Sequence, residues 1–155
     1  MSSPAATKAH DALSAHRSAR VEEIVAQRRP LRNLTAVDVS RWPVLLATLT
    51  ASNFTYVLDD ITAAHLHGPF APVVDVRDIP PLTSSQRHLI TTARAADHAR
   101  FPGVRRGCAC VVANLDQERA LLPLTWLNTV GYPLQTFTRV DFAFAWAEQL
   151  MRDSR

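Results

Sequence analysis

The sequence predicts an α/β fold: a single mixed, mostly parallel sheet of four or five strands with helices packed on it, preceded by an N-terminal helical arm. Three observations carry that expectation. The run Pro72 to Asp78, PVVDVRD, is short, apolar and β-branched and closes on a charged tip, the pattern of a buried strand. Behind it, Thr83 and Gln86 match the S/T-x-x-E/Q capping box, so this strand feeds a helix. From Trp42 to Leu150, strand-length runs alternate with stretches at helical spacing in the order β(β)αβαβαβα, and such alternation makes a mostly parallel sheet with right-handed crossovers.

Residues 1 to 30 are rich in Ala, Ser and Arg and hold no aromatic side chain. Val21, Ile24 and Val25 are a small apolar patch at helical spacing between about Asp11 and Arg28, too little to stabilise a helix alone. This segment is expected to be a tail or an arm that pairs with a partner or a second copy, ended by Pro30, and residues 31 to 155 are expected to fold without it. An edge strand is expected from Leu31 to Ser40, with Leu34, Ala36 and Val39 inward. VLLATLT, residues 44 to 50, is apolar almost throughout and reads as a central strand covered on both faces. Ser52 or Asn53 can cap a helix whose apolar side is Phe54, Val57, Leu58 and Ile61, stopped by Gly68-Pro69.

After the strand at 72 to 77, Ile79-Pro80-Pro81-Leu82 makes a stiff loop. The helix from Thr83 to about His98 turns Leu89, Ile90, Ala93 and Ala96 inward and Arg87, His88, Arg94 and Asp97 outward. Phe101-Pro102-Gly103 forms a turn before a buried strand from Gly107 to Ala113. Asn114 or Asp116 caps a helix containing Leu121, Leu122, Trp126 and Leu127, which Pro123 kinks. A short strand, Leu134 to Phe137, precedes a last helix capped by Asp141, with Phe142, Trp146 and Leu150 as its apolar row.

The composition narrows function mainly by exclusion. At 47% hydrophobic and 20% charged residues, the chain of 155 is that of one globular domain with an appendage. Its charge of +3 is almost wholly arginine and is dispersed, with Lys8 the only lysine, so nucleic acid is not an expected partner. No stretch has the length of a membrane span or the h-region of a leader, and a cytoplasmic protein is expected. Cys108 and Cys110 are assigned to opposite faces of their strand and read as small core residues that do not bond each other.

Catalytic chemistry finds little support. His65-Leu66-His67 lacks the third and fourth ligands of a metal site. Ser84, His88 and Asp75 could be assembled into a triad only on paper, without a nucleophile elbow. Asp59-Asp60 are neighbours on a helix and do not face each other. With four glycines in the chain there is no phosphate loop, and neither a cofactor nor a metal is expected. Asp75 is expected to cap backbone or pair with an arginine, and Arg100, Arg105 and Arg106 to form a solvated turn. Loops at the carboxyl ends of strands in such sheets are where ligands and partners meet the protein. That places the expected partner-binding surface at Asp78, Thr83, Ser84, Ser85, Arg87, His88 and Arg94.

The succession WPVLLATLT, VVDVRD, SSQRHLI, CACVVAN with Arg119, and PLQTF with FAFAWAEQL resembles the STAS-like fold of the sporulation anti-sigma-factor antagonist type, over about 110 residues. It looks in particular like little-characterised bacterial proteins of the STAS/SEC14-like kind. The resemblance implies a non-catalytic regulatory or adaptor module that binds another protein, a second copy or a larger assembly; the N-terminal arm, which lies outside the resemblance, is expected as a second contact because of its sparse apolar patch. The resemblance also implies a phosphorylated serine at the start of the helix after the aspartate-bearing strand, here Ser84 or Ser85. The family's Asp-Ser-Ser-Gly pattern is replaced by Leu82-Thr83-Ser84-Ser85-Gln86. The alternative it implies is a carrier or sensor domain for a nucleotide or lipid.

Overall fold

In the computed structural model of the chain, residues 4–121 and 131–154 are described. Four strands, β1 (Val44–Thr48), β2 (Ala71–Asp75), β3 (Cys108–Val111) and β4 (Leu134–Phe137), form one sheet in the order β1-β2-β3-β4. All neighbours are parallel, and the carboxyl ends lie in line: Thr48 opposes Asp75, Asp75 opposes Val111, and Val111 opposes Phe137. Parallel pairing needs crossovers, which are helical here: α2 (Phe54–Ala64) between β1 and β2, and α3 (Ser84–Arg100) between β2 and β3. The remaining α-helices among the described residues are α1 (Pro4–Gln27), α4 (Leu115–Leu121) and α5 (Val140–Asp153).

The two-residue strand period sorts the core into two clusters. Leu45, Ala47, Val76, Cys110 and Val112 face α2 and α3, joining Val57, Ile61, Ile90 and Ala93. Val44, Ala71, Val73, Ala109 and Val111 face α5, joining Ala143, Phe144, Ala147 and Met151. Gly107, just before β3, permits the close approach of α5. A Cβ there would stand 2.2 Å from Leu150 Cδ2 and 3.1 Å from the Pro133 carbonyl oxygen.

Residues 4 to 30 behave differently from a free arm. α1 packs on α2 and α3, with Val21 and Ile24 buried and Ile24 within the larger core cluster. Arg17 lies on the same face one turn earlier and is 3% exposed. Its Nη1 donates to Asp59 Oδ1 at 2.6 Å and its Nη2 to Thr62 Oγ1 at 2.6 Å. A buried ion pair supplements the two aliphatic side chains of the patch that are buried, Val21 and Ile24, and α1 packs against its own chain. The helix stops at Gln27, where Arg28 takes a left-handed φ of 47° two residues before Pro30.

Other expectations need correction. The 31–40 segment is a 3-10 turn, Leu31–Asn33, and a single antiparallel bridge, Asp38 to Leu46, in place of an edge strand. Asp38 Oδ1 accepts from the Ser40 amide and turns the chain away. Leu34 is buried as expected, but Val37 is the other buried residue, with Ala36 and Val39 only half-buried. β1 borders the sheet and is not central; its apolar run reflects cover on both faces. In α5 the buried row is Ala143, Phe144, Ala147 and Met151. Trp146 and Leu150 are half-buried and Phe142 is 54% exposed. Small Ala143 and Ala147 let the helix lie close to the sheet, which pushes the larger row aside. Arg139 holds the cap position of α5, and Asp141 sits inside its first turn. The predicted helix positions Leu122, Trp126 and Leu127 and the Pro123 kink lie outside the described residues.

Candidate functional site

The carboxyl end of β2 carries the predicted surface. Asp75 is buried, and both its oxygens are taken by one guanidinium: Arg77 Nε donates to Oδ1 at 3.0 Å and Nη2 to Oδ2 at 2.9 Å. The Arg77 amide also donates to Oδ1, so Asp75 turns the chain and pairs with an arginine, as expected. Val76 and Ile79 are buried and pin the loop from below. Gln117 on α4 straps it from the side, its Nε2 donating to the Val76 carbonyl at 2.7 Å. Gln117 is held in turn because its amide, in the first turn of α4, donates to Asn114 Oδ1.

At the head of α3 the capping box forms in full. Thr83 Oγ1 accepts from the Gln86 amide at 3.1 Å, and Gln86 Oε1 accepts from the Thr83 amide at 3.0 Å. Reciprocal capping of this kind stabilises a helix start by about 1 kcal/mol. Asp78, Thr83, Ser84, Ser85, Arg87 and His88 are all exposed around this frame. Arg94 is not exposed with them. It is half-buried, and its Nε and Nη2 donate to Tyr132 Oη at 3.3 and 3.0 Å.

Residues considered for chemistry hold structural positions. His65 is 4% exposed, donates from Nδ1 to the Ile61 carbonyl at 2.9 Å, stacks on Phe101 and meets Phe70 edge-on. Burial, with the Arg105 charge nearby, lowers its pKa to about 3, so the ring is neutral. His67 Nε2 donates to the Arg29 carbonyl at 2.8 Å. Asp59 and Asp60 diverge: Asp59 receives Arg17 and Arg20, whereas Asp60 receives Arg29 at 3.0 Å and the Ala36 amide at 2.8 Å. Among the described residues no group of three or more His, Cys, Asp and Glu is arranged to hold a metal ion.

A second polar assembly escapes the sequence reading. Thr62 Oγ1, which accepts from Arg17, donates to Asp97 Oδ1 at 2.7 Å, and Asp97 Oδ2 accepts from Arg105 Nη2 at 3.1 Å. Arg105 Nη1 then reaches Tyr132 Oη at 3.2 Å, beside Arg94. A continuous polar chain therefore runs from α1 through α2 and α3 to the start of β4. Asp97, expected on the outer face of α3, is 3% exposed, and Arg105, expected in a solvated turn, has a buried side chain. Burial pushes the Asp97 carboxyl above the usual range, with Arg105 and Thr62 pulling it back. The signal available in the sequence was Arg17 in register with Val21 and Ile24, at intervals of four and seven residues.

Arg94, Asp97 and Arg105 form one end of an apolar cavity of about 80 Å³ between the sheet and helices α2 and α3. Cys108 and Cys110 line it together, which corrects their assignment to opposite faces, because alternate strand residues share a side. Both thiols are free and buried, and burial raises their pKa values, so neither is a ready nucleophile.

The molecule is thus an α/β protein with one four-stranded, all-parallel sheet, an exposed polar surface at the carboxyl end of β2, and a small internal cavity. No helix among the described residues is long and apolar enough to cross a membrane. No family model, curated protein or solved structure matches the chain.

Proposed function

We propose that this protein is a non-catalytic interaction module of the STAS-like kind, which binds another protein through Asp78 and the head of α3. The observation that carries the reading is the exposure of Asp78, Thr83, Ser84, Ser85, Arg87 and His88 on a segment held by two buried anchors, Ile79 and Ile90. A surface fixed by a closed capping box and by the Gln117 strap loses little freedom on docking, which favours affinity. Ser84 and Ser85 stand in the first turn of α3, where a phosphate would meet the positive end of the helix dipole and change the charge offered to the partner. The inner face of α1 is occupied by α2 and α3, so any second contact through this helix uses its outer face. A regulatory or adaptor role in the cytoplasm goes with this reading, in keeping with two unpaired thiols.

A nucleotide or lipid held between the sheet and helices α2 and α3 receives less support, since that cavity of about 80 Å³ is smaller than either ligand. The test is a photo-reactive residue at Ser85, with a control at Gln149 on α5, irradiated in cells of the source organism. A single adduct formed at Ser85 and absent at Gln149 supports the reading. Equal labelling at both positions, or none at Ser85, counts against it.

A further inference from the structure

The junction of Arg94, Arg105 and Tyr132 is oversubscribed. Three N–H groups, Arg94 Nε, Arg94 Nη2 and Arg105 Nη1, point at one phenolic oxygen at 3.3, 3.0 and 3.2 Å. A hydroxyl oxygen has two acceptor lone pairs, whereas a carboxylate offers about four acceptor sites in the plane that a guanidinium fork prefers. The two arginines also stand at the boundary between two spaces. On one side lies the apolar cavity of about 80 Å³, and on the other a smaller recess of about 20 Å³ beside His98 and Tyr132. Tyr132 is half-exposed and His98 exposed, so this recess faces the outside.

We propose that the cavity is a binding site for a short-chain carboxylate of about four or five carbon atoms, with its hydrocarbon among Val57, Ile61, Val74 and Ile90 and its carboxylate on Arg94 and Arg105 in place of the Tyr132 hydroxyl. Size sets the chain length: a void that admits benzene measures about 150 Å³, so this one takes roughly three or four carbons beyond the carboxylate. Charge sets the head group. Arg105 keeps Asp97 on Nη2 while Nη1 turns to the ligand, and Arg94 brings a second guanidinium to the same point. A neutral amide of the same shape would bring two further N–H donors toward groups that are themselves donors. This inference goes beyond the docking reading and stands independently of it.

Thermal unfolding of the full chain tests it, with sodium isovalerate, isovaleramide and sodium phosphate compared at matched ionic strength. Isovalerate is expected to raise Tm, by about 3 to 6 °C at ten times its dissociation constant and logarithmically with concentration beyond it, and the other two to leave Tm unchanged. Ala93→Leu, which fills the cavity, and Arg94→Gln, which removes one guanidinium, should each abolish or sharply reduce the rise. The proposal is overturned if isovalerate gives no rise. An equal rise with isovaleramide or phosphate overturns it too, as does a full rise retained in whichever of the two variants folds.

Discussion

Lowering the pH from 7 to 5 is expected to remove about 2 kcal/mol of stability through His65 alone. The ring is enclosed by Phe70, Phe101 and the carbonyls of Ile61 and Thr62, and its pKa falls from 6.5 to about 3. A depressed folded pKa means that unfolding takes up a proton: the stabilisation is complete above the unfolded value and is lost as pH falls from about 6.5 through about 3. At about 1.36 kcal/mol per pH unit, the interval from 6.5 to 5 gives about 2 kcal/mol. Asp97, whose pKa burial raises, acts in the opposite sense, its contribution being present at low pH and lost as pH rises. The clean quantity is therefore the difference between wild type and His65→Gln, measured by urea unfolding at pH 7, 6 and 5. That difference should shrink by about 2 kcal/mol. A difference that stays constant with pH would mean that the ring is solvated or already charged in the folded protein.

Ile24→Ala should destabilise by about 3 kcal/mol in urea unfolding, because Ile24 is 1% exposed within the main cluster. A change within about 0.5 kcal/mol would show that α1 is a loose arm after all. Gly107→Ala should cost about 1 to 3 kcal/mol by the same measurement, since the added methyl meets Leu150 and the Pro133 carbonyl; a neutral result would mean that α5 lies further from the sheet. Trp146→Ala should cost about 2 kcal/mol, less than a fully buried tryptophan, and a loss above about 4 kcal/mol would contradict its half-buried place beside Phe137.

The alternation of elements was legible because sheet and helix periods write directly into apolar spacing. The capping box of α3 could be read to the residue, as Thr83 and Gln86 show, whereas the strand expected at 72 to 77 runs from Ala71 to Asp75. Two kinds of information were hidden. Buried charge reads as surface until its partner is known: Arg17, Asp59, Asp97 and Arg105 look solvated one by one, but the packing of α1 on α2 pairs Arg17 with Asp59, and the turn after α3 brings Arg105 back to Asp97. Small residues conceal the side of a helix that faces the sheet. In α5, Ala143 and Ala147 bury more completely than Phe142 and Trp146, because close approach rewards the absence of a side chain. Of the predicted surface, the exposed part was legible from turn chemistry, whereas Arg94 was misread because its partner, Tyr132, is 38 residues away.

That misreading changes the choice of variants, since Arg94 supports Tyr132 and no longer serves as a pure surface probe. Asp78 and Arg87 are both exposed, and neither carries the frame. The measurement that bears most directly on the proposed role is the affinity of the Ser85-cross-linked protein, once purified, for wild type and for Asp78→Lys combined with Arg87→Glu. With the Tm of the double variant within about 2 °C of wild type, binding is expected to weaken at least about tenfold. Unchanged affinity in that folded double variant would contradict docking at the head of α3.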